Sequence, residues 1–193
     1  INISGSAAFG EDLWPSRVAL TGDIAAPEGG KIELPIPGEV TRLDRADLDI
    51  LYNAETSDDW SARIEVVGLD RPTLSARLLR IDGAGSLSRG EGTALGQLAG
   101  TFDVQAENLE FTDPNLSQAV GTDATGQFDV SYIEDAPFKI SNLTLSGAGT
   151  EVAGDLEFDG LGDDLTRARL FCLKAGSEMS AIVEASREPR PLN

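Results

Sequence analysis

Apolar and polar residues alternate along nearly the whole chain, and a period of two commits it to β-strand. Val18, Leu20 and Ile24 share one face, opposite Thr21 and Asp23. Leu48, Ile50 and Tyr52 alternate with Asp47, Asp49 and Asn53, and Trp60, Ala62, Ile64 and Val66 with Ser61, Arg63 and Glu65. The pattern returns in Phe102-Val104-Ala106, in Phe128-Val130-Tyr132, in Phe138-Ile140 followed by Leu143-Leu145, and in Val152-Gly154-Leu156-Phe158. A helix, with its period of 3.6, would scatter these residues around its circumference. About ten to twelve strands fit between turn signals such as Pro27-Glu28-Gly29-Gly30, Asp82-Gly83 and Asp159-Gly160. Ile32, Leu34 and Ile36 alternate too, but Pro35 and Pro37 lack the N–H a ladder needs and confine that segment to an edge.

Helix is expected in two short places. Asp113 is placed to cap a turn that begins at Pro114 and stops at Gly121. Ser177 is placed to cap a second helix, to about Ala185, with Met179, Ile182 and Val183 on one side. An internal echo joins Leu79-Arg-Ile81-Asp-Gly83-Ala-Gly85 to Leu143-Thr-Leu145-Ser-Gly147-Ala-Gly149, an offset of 64 residues. It predicts a repeat over about 60–91 and 124–155 within a single β-groove unit spanning 1–193, itself a fragment of a longer repeat protein.

The remaining composition narrows function by exclusion. The 193 residues carry 33 Asp+Glu against 15 Lys+Arg, a formal net charge of −18. Neutralising phosphates needs basic surface, so neither nucleic acid nor an anionic headgroup layer is the expected partner. There is no histidine, and Cys172 is the only cysteine, which rules out a Ser-His-Asp triad, a Cys-His dyad and a histidine-ligated metal within the sequence. No phosphate-binding glycine loop or zinc spacing occurs, so no cofactor and no metal are expected. Carboxylates are the one abundant catalytic material, but Asp58-Asp59 and Asp163-Asp164 lie among turn residues, where acids are favoured for local hydrogen bonding. The chain is therefore expected to have no catalytic residues and not to be an enzyme.

Several segments carry a family resemblance. These are Ile3-Ser-Gly5-Ser-Ala-Ala-Phe9-Gly-Glu-Asp-Leu13-Trp14-Pro15-Ser, Leu34-Pro-Ile36-Pro-Gly38 and Phe102-Asp-Val-Gln-Ala106-Glu-Asn-Leu109 with Asp113-Pro114. Leu143-Thr-Leu145-Ser-Gly147 and Gly154-Asp-Leu156-Glu-Phe158 complete them. In this cadence of strands and glycines the chain resembles the TamB (translocation and assembly module) family, within the wider AsmA-like group of lipid-transfer proteins. The resemblance implies an all-β fold, an elongated, twisted, antiparallel-rich sheet curled into an open groove like a taco, with minor short helices. It implies the periplasmic part of an inner-membrane-anchored protein of a Gram-negative bacterium, the anchor lying outside this fragment. It also implies phospholipid acyl chains as cargo, a TamA-like outer-membrane barrel as partner, and a part in phospholipid transport and outer-membrane biogenesis.

The candidate groove lining is Ile64, Val66, Phe102, Val104, Phe128, Val130, Leu143, Leu145, Leu156 and Phe158, each on the apolar side of its strand. The competing expectation is a structural or adhesive β-solenoid or sandwich, in which the same residues fill a dry core and the outside binds protein partners. Whether the apolar face is covered decides between them.

Overall fold

The computed structural model describes residues 2–10, 15–26, 29–34, 40–90, 95–134, 136–148, 150–158, 165–174 and 181–186. The first seven strands are β1 (Asn2–Phe9), β2 (Pro15–Ala25), β3 (Ile32–Leu34), β4 (Thr41–Leu43), β5 (Arg45–Asn53), β6 (Asp59–Asp70) and β7 (Leu74–Arg89). Next come β8 (Leu95–Glu107), β9 (Glu110–Phe111), helix α1 (Pro114–Val120), β10 (Asp123–Ile133) and β11 (Phe138–Gly147). The last three are β12 (Thr150–Phe158), β13 (Leu165–Lys174) and β14 (Ala181–Ser186).

All fourteen strands belong to one antiparallel sheet, ordered β1-β2-β5-β6-β7-β8-β10-β11-β12-β13-β14, that does not close into a barrel. The short β3 and β9 lie off this path, as does β4: β3 pairs with β4, β4 touches β6, and β9 extends the line of β8 along β7. Successive strands of the path are neighbours, so the connections fall alternately on two rims of the sheet. One rim carries the short connections 10–14, 54–58, 90–94, 134–137 and 159–164; we call it the turn rim. The opposite rim carries the β3–β4 hairpin and the β9–α1 excursion, and we call it the capped rim.

The register sorts most side chains by face from β5 to β12; Leu51, Val67 and Leu78 are apolar residues on the polar side. Ile64 stands opposite Ile81, Ile81 opposite Val104, Val104 opposite Gly126, Gly126 opposite Leu145 and Leu145 opposite Val152. One step along the strands, Glu65 faces Arg80, Arg80 faces Gln105, and Gln105 faces Thr125. Between Ile140 and Leu143 the apolar residues sit three apart, which would turn Leu143 outward. A bulge at Asn142, whose φ is 52°, absorbs the extra residue and keeps both on the same side.

Three local expectations change. Asp82-Gly83 is not a turn: the sixteen residues of β7 run straight through it. Gly83 is there for space rather than for a bend, as shown below. The helix expected over 177–185 gives way to strand β14 from Ala181 to Ser186, while 177–180 lie outside the described residues. Ile182 and Val183 are β-branched and pair with Phe171 and Leu170 along the side of β13 that β12 leaves free, so sheet hydrogen bonds win over a short helix. The two Gly-Ala-Gly steps also occupy different places, since Gly83 is mid-strand in β7 and Gly147 is the last residue of β11. Helix α1 has the expected caps: Asp113 Oδ1 accepts from the Asn115 N–H at 2.8 Å, and Gly121 follows at φ 78°.

The sheet bends toward its apolar face. In a flat sheet a Cβ stands clear of the neighbouring backbone, yet a Cβ at Gly85 would come 1.9 Å from the Ala99 carbonyl oxygen and 2.5 Å from Gly100 Cα. Strand β8 leans over the apolar side of β7 at this crease, which only glycine permits. Gly5 in β1 and Gly126 in β10 point to the same face and approach the Ala19 and Thr144 carbonyls at 2.9 Å each, so the curvature recurs along the sheet.

Candidate functional site

The concave face is the feature that demands a functional reading. Each of the ten lining candidates falls on it: Phe102 lies opposite Phe128, Leu143 opposite Gly154, Val130 beside Gly100 and Ile140, Leu156 opposite Ile140, and Phe158 opposite Phe138. Ile64, Val66, Val104 and Leu145 continue the same rows. Val130 is buried at 7% exposure, while the other nine are half-buried. Half-burial is what a side chain acquires from strand neighbours alone. A facing sheet would bury these residues fully, as in a sandwich interior, and no second sheet faces them among the described residues. From β5 to β12, none of the residues in these rows is charged.

An aromatic band crosses the floor of the groove. The Trp60 and Phe102 ring centroids are 5.4 Å apart, and those of Phe102 and Phe128 are 5.1 Å apart with planes 14° from parallel. Trp60 and Phe102 lean into space that glycines leave open: a Cβ at Gly100 would meet the Trp60 ring at 2.4 Å, and one at Gly83 the Phe102 ring at 2.6 Å. Phe138 and Phe158 make a further pair at 5.9 Å. The lining residues that sequence reasoning left out, Leu79, Ile81, Trp60 and Ile140, share these rows. Two of them sit on β7, where reading Asp82-Gly83 as a turn cut the strand short. The run Leu79-Arg80-Ile81 alternates, and it could have been followed through the glycines.

The other face is polar and ion-paired. Arg63 meets Asp82 at 2.6 Å, Arg80 meets Glu65 at 2.5 Å, and Arg45 meets Asp47 at 2.6 Å, pairing charges on the same or adjacent strands. The hydrogen bond and charge of Asp82 raise the Arg63 pKa. Asp129 accepts from the Asn142 amide at 2.7 Å and from the Thr101 hydroxyl at 2.6 Å, which hold its carboxyl below the usual range. Solvent screens exposed pairs of this kind, so their main effect is to keep charge on the convex side and out of the groove.

Asp58 and Asp59 are exposed at the head of β6, where the Asp59 N–H donates to Ser57 Oγ at 3.2 Å. Asp163-Asp164 lies outside the described residues, and so does the side chain of Cys172, whose backbone pairs with Val152 and Ala181. Among the described residues no cluster of His, Cys, Asp or Glu is placed to hold a metal, and no helix is long and apolar enough to cross a membrane. Comparisons with protein-family models, curated proteins and solved structures give no match to this chain.

Proposed function

We propose that this chain is a non-catalytic segment that shields lipid acyl chains from water, as a β-groove of the TamB type would on the way between two membranes. The observation that carries the reading is the uncovered apolar face, continuous in register from Ile64 to Val152 and bent inward at Gly85 and Gly100. Carrying a two-chain lipid through water exposes about thirty methylenes at roughly 0.8 kcal/mol each, on the order of 25 kcal/mol. A trough of half-exposed leucine, isoleucine, valine and phenylalanine removes most of that barrier without enclosing the cargo. Eleven strands at about 4.8 Å make a trough of roughly 50 Å, longer than the ~30 Å hydrocarbon thickness of a bilayer. A lipid therefore slides along it from site to site rather than filling a single pocket.

In this reading the full-length protein is anchored in an inner membrane and meets an outer-membrane barrel of the TamA type, and this chain supplies part of the path. The test is ultraviolet cross-linking of a phospholipid with a photoreactive group on its acyl chain, followed by peptide mapping. Adducts on β6, β8, β10 and β11 at apolar-face positions are expected. Absence of adducts, or adducts confined to the polar face, rejects the groove and returns the adhesive alternative.

A further inference from the structure

The groove is not symmetric about its length. Toward the turn rim, its apolar face carries Tyr52, Trp60, Tyr132, Phe138 and Phe158. Toward the capped rim the equivalent rows hold Ala46, Val66, Leu79, Ala106, Ala124 and Val152, and the ring described on that side is Phe111 of β9, packed into the buried cluster there. Among the described residues the tryptophan and both tyrosines, with apolar bodies and polar tips, therefore lie at one rim, the composition found where hydrocarbon meets water. Trp60 Nε1 is buried and has no hydrogen-bond partner among the described residues.

The two rims also differ in packing and charge. Among the described residues the buried non-glycine side chains are Thr41, Leu43, Ala76, Ala106, Leu109 and Ala124, all at the capped rim, plus Tyr52 and Val130. Leu109 and its buried neighbours are covered by Leu69, Leu74, Phe111 and Val120, so β9 and α1 close this side of the trough. Ion pairs Lys31–Asp70, Arg42–Glu33 and Arg77–Glu107 line it outside. The described residues of the turn-rim connections include the acids Glu55, Asp58 and Glu134 and no Lys or Arg.

We propose that an amphiphile lies in the trough with its polar end beside Tyr52, Trp60 and Tyr132 and its chains directed toward the aliphatic, capped side. This rests on the lipid reading above and adds the orientation of the cargo. An anionic headgroup is repelled by the turn-rim carboxylates, so the probe is zwitterionic.

The experiment uses a short-chain phosphatidylcholine, monomeric in solution, with a nitroxide either on its headgroup or on its last chain carbon. Quenching of tryptophan fluorescence is read in two single-tryptophan proteins. One is Trp14→Phe, which keeps Trp60; the other is Trp14→Phe/Trp60→Phe/Val66→Trp, which moves the reporter to the capped side of β6. If the second protein loses its β-type circular dichroism, Leu79→Trp on the adjoining strand replaces Val66→Trp. The headgroup nitroxide should quench Trp60 at least twofold more than the capped-side reporter, and the chain-end nitroxide the reverse. Equal or inverted quenching at the two positions overturns the orientation while leaving the groove. No quenching by either probe at either position removes the lipid reading and the orientation with it.

Discussion

The Phe102 ring lies against the backbone of Gly83 on the adjoining strand, so close that a Cβ there would come within 2.6 Å of its Cε1. Glycine in mid-strand ordinarily weakens a sheet, because it adds backbone entropy to the unfolded chain and contributes no side chain. Here the missing side chain is replaced by the ring of Phe102, held from its other side by Phe128. Gly83→Val is expected to lower stability by about 1–3 kcal/mol through overpacking. In a Phe102→Ala background the same change should cost markedly less, a coupling within the roughly 0.5–3 kcal/mol range of contacting residues. Denaturant unfolding of the four proteins of this cycle measures it, and additive effects would show that Gly83 does not make room for the ring.

The same pair marks how far the sequence could be read. Alternation placed Ile64, Val104, Phe128 and Leu156 on one face because a period of two fixes side relative to strand and needs no partner. The phase breaks between Ile140 and Leu143, and the bulge that absorbs the break is seen only in the structure. Gly83 defeated the reading because a glycine that ends a strand and a glycine that makes room for a ring two residues wide look identical in one dimension. The C-terminal strand was missed for a related reason. Ile182-Val183 gives too few residues to separate a period of two from 3.6, and only the free side of β13 decides. Whether the apolar face would be covered was not legible at all, because covering is a relation between sheets and leaves no local pattern.

The bulge gives a second prediction. Asn142 sits at φ 52°, a left-handed conformation that asparagine tolerates and a β-branched residue does not. Asn142→Val should destabilise by about 1–2 kcal/mol or more, and Asn142→Gly should retain the backbone while losing the bond to Asp129. Thermal melts ranking glycine above valine at this position are expected. The opposite ranking would mean that the bulge is not the source of the constraint.

A third prediction concerns acid. The Asn142 amide and then the Thr101 hydroxyl lower the Asp129 pKa in the folded chain, so the unfolded chain takes up that proton first as pH falls. The stabilisation from these bonds is complete above the ordinary aspartate value of about 3.9, and it is lost as pH drops through the lower folded value. Asp70 behaves alike, its pKa lowered by the hydrogen bond and charge of Lys31. Denaturation midpoints measured from about pH 5 down to pH 2 should therefore fall less steeply in a Thr101→Val/Asn142→Gly protein than in the parent. Parallel curves would show that Asp129 has no part in the acid response.

The last prediction separates a trough from a dry core by placing one charge at two depths. Val130 and Val104 lie on the same face of adjacent strands, but Val130 is 7% exposed whereas Val104 is half-buried, with Gly126 opposite it. An arginine at 130 has to desolvate its guanidinium among Ile140 and the backbone of Gly100, and an unpaired buried charge costs several kcal/mol. An arginine at 104 has no side chain in front of it on β10, so its stem can lie along the trough while its head reaches water. Val130→Arg should therefore unfold or melt far below the parent. Val104→Arg should keep its β-sheet circular dichroism and lose no more than about 1–2 kcal/mol. The folded Val104→Arg protein then tests the cargo, because its charge stands in the path of the chains: acyl-chain cross-linking on β10 and β11 should drop several-fold. Retained cross-linking in that folded variant contradicts a continuous path through Val104, and equal collapse of both variants would mean that the face is covered after all.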